Sequence, residues 1–90
     1  MSETKVIAVA SILSESVELE EENGIYTVVK TVEGWRVAES EFPEFEDAAY
    51  DFEFTCERIA DRCRENSDVG IKRNDIIDVV KADDRLKLKY

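Results

Sequence analysis

Apolar and polar positions alternate from residue 17 to residue 40, and the alternation is broken at two Gly-containing dipeptides. VELEEENGIYTVV carries the clearest local signal: Asn23-Gly24 lies between two strand-like runs, and a two-residue type I′ turn needs positive φ at both positions. Such a turn sets Glu22 opposite Ile25, Glu20 opposite Thr27 and Glu18 opposite Val29. Val17, Leu19, Tyr26 and Val28 then share an apolar face, and Glu18, Glu20 and Glu22 line the other. A second turn at Glu33-Gly34 joins IYTVVKTV to WRVAES and predicts that Trp35 and Val37 fall on the face of Val28 and Val32. The product is a three-stranded antiparallel meander with an apolar face that needs a cover.

From Pro43 to Asn66 the period lengthens to that of a helix. At 100° per residue, Phe45, Ala48, Ala49, Phe52, Cys56, Ile59, Ala60 and Cys63 form one stripe, the natural cover for the meander. Pro43 suits the first turn, and Glu44, Glu46 and Asp47 sit where the helix dipole favours anions. VIAVASIL (Val6 to Leu13) suits either a buried strand or a short helix, with the strand preferred for its β-branched character. Residues 67–73 are expected as a loop. Asn74 then caps a short helix, DIIDVVK, whose β-branched pairs leave a strand open, and LKLKY closes with strand-like alternation. The expected fold is α+β: one domain of 90 residues, a β-meander packed on one long amphipathic helix, with a short C-terminal helix and strand.

Charge adds a polarity to this outline. The net charge is −10, but residues 1–57 hold fifteen acids against three bases, a balance of −12, while residues 58–90 hold seven acids against nine bases, a balance of +2. Such a field repels nucleic acid and anionic membrane, so neither is expected as a direct ligand, and it attracts basic protein surfaces. Solubility alone is the competing explanation for acidity in a small protein.

Chemistry is hard to find. The chain has no His, which removes Ser-His, Cys-His and imidazole–metal sites. Cys56 and Cys63, seven apart on one helix, lie roughly 10 Å apart along the axis, too far for a disulfide. They are expected as reduced core residues of a cytoplasmic protein. The longest apolar run is too short to span a bilayer, and the acidic start argues against a signal peptide. Neither P-loop, GxGxxG nor EF-hand spacing occurs. The expectation is a protein without enzymatic activity, cofactor or metal.

The remaining candidate is a partner-binding surface. ESEFPEFEDAAYDFEF, Glu39 to Phe54, carries seven acidic side chains and no basic one. On the helical wheel Tyr50 and Phe54 fall opposite the core stripe, among Glu46, Asp47, Asp51, Glu57 and Asp61. Like charges at i,i+4, such as Asp47 with Asp51 and Glu57 with Asp61, weaken an isolated helix by a few tenths of a kcal/mol per pair. Arg58, Arg62 and Arg64 offset this only in the C-terminal half. Two rings in a carboxylate rim fit a basic, partly apolar partner surface; the structural alternative is that the rings pack beneath another part of the chain. Glu18, Glu20 and Glu22 supply a second acidic row, which would combine with the first into a duplex-like pair of rows if helix and hairpin lay side by side.

In size, charge and architecture the acidic hairpin ELEEENG beside EFPEFEDAAYDFEF resembles small phage-encoded inhibitors, including anti-CRISPR proteins that imitate DNA. The likeness covers residues 15–65. It implies a nucleic-acid-binding complex, such as a host defence nuclease, as target, with carboxylates standing in for phosphates. The expected function is thus that of an acidic inhibitor occupying a basic groove. The alternative is a structural or regulatory subunit that homodimerises through VIAVASIL or the Tyr50/Phe54 face.

Overall fold

The computed structural model describes residues 3–65 and 76–86. Strands β1 (Lys5–Ile12), β2 (Glu15–Glu22), β3 (Ile25–Val32) and β4 (Trp35–Phe42) follow one another as an antiparallel meander. Helix α1 (Phe45–Glu65) comes next, and β5 (Asp78–Lys81) returns to the sheet. The five strands lie in the order β4-β3-β2-β1-β5, every neighbouring pair antiparallel, and α1 crosses one face of the sheet. This is the expected α+β architecture, with VIAVASIL as strand β1.

The turns set the registers. Asn23 and Gly24 both take positive φ, 53° and 80°, and the β2–β3 ladder pairs Glu22 with Ile25, Glu20 with Thr27 and Glu18 with Val29, as the Asn-Gly turn predicts. Glu33 and Gly34 repeat this geometry at 51° and 86°. Between β1 and β2 the two-residue turn Leu13-Ser14 was not foreseen; there Leu13 takes φ 58°. The Glu33 amide donates to the Ser14 carbonyl at 2.9 Å, so the two turns at this end of the sheet brace each other.

The core lies between α1 and the near face of the sheet. Ala8, Ala10 and Ile12 of β1, Val17 and Leu19 of β2 and Val28 of β3 meet Ala48, Phe52, Cys56, Ile59 and Ala60 of α1, all buried. Small side chains on β1 let the helix settle close, and Phe52, fully buried, fills the centre. A bulge at Ile7 turns that residue inward as well. Every member of the expected helical stripe is buried or half-buried.

Two expectations need correction. Trp35 and Val37 are exposed (77% and 54%) rather than in the core. Trp35 does oppose Val32, but the β3–β4 register shifts after Lys30: Ala38 opposes Lys30 and Arg36 opposes Thr31, so Val37 is an extra, bulged residue. Because β4 is also the edge strand, at that end it has no cover. The DIIDVVK helix is not what residues 78–81 form: Asp78–Lys81 pair with β1 as strand, the state their β-branched pairs favour. Asn74 and the 67–73 loop lie outside the described residues, as does LKLKY beyond Leu86. Strand β1 lies inside the sheet, with β2 and β5 on either side and Ile7, Ala8, Ala10 and Ile12 buried.

Candidate partner-binding surface

The acidic stretch Glu39 to Phe54 spans two elements. Glu39 to Phe42 end β4, Pro43 and Glu44 turn the corner, and the Glu44 carbonyl accepts from the Ala48 amide (3.3 Å) as α1 begins. Proline at the corner suits this geometry, because it needs no amide partner at a helix start.

On α1, Tyr50 and Phe54 are exposed (72% and 46%) and stack on each other, centroids 6.1 Å apart and planes 8° from parallel. The Arg58 guanidinium lies 5.7 Å from the Phe54 centroid. A step of four residues returns to nearly the same helix face, so the three side chains form a ladder along the outer surface. Among the described residues, none closes over the two rings. Glu46 and Asp47 are exposed beside them, and Asp61 continues the outer face, with Arg64 at 3.7 Å. Asp51 and Glu57 fall on opposite flanks by the helical step. Burial holds the Asp51 carboxyl above its ordinary range, and burial with nearby Glu57 does the same for Glu53.

Glu18, Glu20 and Glu22 are not beside this ladder. They point from the sheet face that α1 does not cover, because even-numbered residues of β2 oppose odd-numbered residues of β3, whose side chains face away from the helix. The side-by-side pair of carboxylate rows is therefore not formed: helix row and hairpin row stand on opposite sides of the sheet. Instead the hairpin glutamates gather with two residues that sequence reasoning left unassigned. Glu39 opposes Val29 and Glu41 opposes Thr27, so both project to the far face. With Glu20, Glu22, Thr27 and Arg36 they line a shallow hollow of about 450 Å³. Arg36 bridges it, 2.5 Å from Glu39 and 3.6 Å from Glu20. Burial raises the Glu20 carboxyl, helped by a hydrogen bond with Glu18 and by the charges of Glu18 and Glu39, against the lowering effect of Arg36. The period-two spacing of Glu39 and Glu41 was the available signal.

Between α1 and β4 runs an open groove of about 560 Å³, floored by Val28, Ala38 and Ser40 and walled by Asp51, Thr55 and Arg58. It is open because α1 sits over the middle of the sheet and leaves the edge strand bare. At its far end lies a third unforeseen residue: Glu15, only 9% exposed, on the helix side of β2. The Arg62 guanidinium donates to both its carboxylate oxygens, and the Lys30 ammonium lies at 3.9 Å. Extending the Val17–Leu19 alternation one step back would have placed it.

Of the basic C-terminal residues, Arg85 makes local contacts. Arg85 lies over the Phe45 ring at 4.3 Å, while Phe45 meets Tyr26 edge-on at 5.6 Å. The Arg85 backbone amide (2.9 Å) and then its side chain (3.1 Å) donate to Asp83, which lowers the Asp83 carboxyl. Cys56 and Cys63 are free thiols, and burial, with Glu53 and Glu57 nearby, pushes the Cys56 thiol up to about 12, so it is no nucleophile at neutral pH. Among the described residues no three potential ligands gather as a metal site needs, and no helix is long and apolar enough to cross a membrane. No known family, curated protein or solved structure matches this chain.

Proposed function

We propose that this protein works by binding rather than by catalysis, as an acidic inhibitor that occupies a basic, nucleic-acid-binding groove on a protein partner in the cytoplasm. The observation that carries it is the Tyr50–Phe54 stack, exposed on the outer face of α1 among Glu46, Asp47 and Asp51. Stacking at i,i+4 gives a monomeric domain only about 0.2–0.5 kcal/mol, little reason to hold two rings in water. Rings ringed by carboxylates suit a surface built for a polyanion with bases, where cations meet phosphates and aromatic faces meet stacked bases. With the hairpin glutamates on the other side, mimicry on this surface rests on a single helical row, whose i,i+4 carboxylates rise by about 6 Å per step. The likeness to phage-encoded inhibitors points to a host defence nuclease complex as the partner class.

The test is recovery of the partner from the source cell by affinity to the intact protein, followed by a salt titration of the complex. Affinity should fall by at least tenfold between low and physiological salt, and nucleic acid should compete. A Tyr50→Ser/Phe54→Ser variant should stay folded and monomeric yet lose the partner. Salt-independent binding, or retention of the partner by that variant, would sink the proposal. A wild-type dimer that this variant dissolves would instead establish the Tyr50/Phe54 face as a self-association surface.

A further inference from the structure

Among the described residues, strand β4 is an exposed edge of the sheet. It stands at the end of the sheet order, its eight residues span Trp35–Phe42, and seven of them are exposed. An edge strand leaves alternate backbone amides and carbonyls without ladder partners, and proteins usually blunt such an edge by shortness, lysine, proline or bulges. Here the bulge at Val37 protects only the Trp35 end. From Ala38 to Phe42 the strand is regular, five residues without Pro or Lys, which is enough for one more strand to pair.

Charge selects the occupant. Side chains of an added strand would alternate between two sides. On the far side they would meet Glu39 and Glu41, over a hollow where, among the described residues, Glu20, Glu22, Glu39 and Glu41 face the single cation Arg36, paired with Glu39 and Glu20. On the near side they would lie over Ala38 and Ser40, in the groove walled by Asp51 and Thr55. The adjoining two-thirds of the chain carries a balance of −12. A second copy of β4 is disfavoured, because antiparallel pairing would set Glu39 and Glu41 against the same residues of a chain that also carries −10. We infer that the Ala38–Phe42 edge takes an extended segment of the partner as a sixth strand, with Lys or Arg at the alternate positions that face Glu39 and Glu41 and small or apolar residues toward the groove. The inference rests on the proposed function only in taking the partner to be basic; the edge can fail to pair while that function stands.

Amide hydrogen exchange by NMR on the intact, isotope-labelled protein tests it. The probe is a synthetic peptide, Lys-Val-Lys-Thr-Lys-Val-Lys with capped ends, and the control has the same composition with alternating D- and L-residues, so it keeps the charge but cannot extend as a strand. The all-L peptide should slow exchange of the outward-pointing amides between Ala38 and Phe42 by tenfold or more, and the alternating peptide should leave them unchanged. If both peptides shift the same resonances in a salt-dependent way without protecting β4 amides, the edge inference falls and the polyanion reading survives. If neither shifts any resonance at millimolar concentration, the inference falls too. Protection of those amides in the peptide-free protein, with a dimer by light scattering, would overturn it in favour of a second copy.

Discussion

Leu13 is the residue whose backbone its side chain least suits. Its φ of 58° lies in the left-handed region, where a γ-branched side chain costs about 1 kcal/mol or more, and it is 69% exposed, so little packing offsets this. Glu33, at 51°, is in the same position. Asn tolerates that conformation, and the cross-turn bond of Glu33 uses only its backbone amide. Leu13→Asn and Glu33→Asn should therefore each stabilise the fold by about 0.5–1 kcal/mol in urea titrations. Equal or lower stability would show that these turns hold no strain. Gly24 and Gly34 give the converse: a Cβ at either would meet nothing within 4 Å, so Gly→Ala should cost about 1 kcal/mol through φ alone. At this scale the sequence was legible where a residue type demands a conformation, as Asn23-Gly24 does. It was silent at Leu13, where the register between an apolar strand and a glutamate-rich one imposes the turn on an unsuited residue.

At the scale of elements, α1 was legible because eight stripe positions repeat over about five turns and any one of them can be misjudged without losing the period. Strand β4 was not, because one bulged residue moves every later side chain to the other face. Two apolar residues, Trp35 and Val37, made the regular register attractive, and only the ladder shows Ala38, Ser40 and Phe42 on the helix side instead. Glu15 was missed for a different reason: its charge is tolerable inside only because Arg62, 47 residues away, reaches it. That dependence has a measurable size. Arg62→Ala leaves a nearly buried carboxylate with Lys30 at 3.9 Å as its remaining counter-ion, and should destabilise by about 1–3 kcal/mol. The double variant Glu15→Met/Arg62→Met removes charge and partner together and should fall within about 1 kcal/mol of wild type. If the double variant is as unstable as Arg62→Ala, burial of an unpaired charge is not the cause. Phe52→Ala, by contrast, empties the centre of the core and should cost about 3–5 kcal/mol.

For the whole molecule, the acidity that composition reveals becomes a pH dependence only through where the carboxylates stand. Composition placed the negative field in the first two-thirds but could not divide it, and the strand parity that sends Glu20 and Glu39 to one side of the sheet and the wrap of α1 that holds Asp51 on the other are products of packing. Glu20, Asp51 and Glu53 are each raised above their ordinary values, chiefly by burial. A raised carboxyl binds its proton more tightly when folded than when unfolded. In the window between its ordinary and its folded pKa the native state therefore holds more protons, and stability is lost as pH rises through that window. Asp83 acts in the opposite sense, but it is at the surface and screened. Relief of repulsion within a chain of charge −10 acts in the same direction as the three raised groups. The melting temperature should consequently rise as pH falls from neutrality toward the ordinary glutamate value of 4.5. Glu20→Gln/Asp51→Asn/Glu53→Gln should flatten that rise more than added salt does, because salt screens the long-range field but leaves the desolvation of three partly buried carboxylates in place. A melting temperature that falls over the same interval would mean that ion pairs such as Arg36 with Glu20 and Glu39, and not burial, set the balance of this surface.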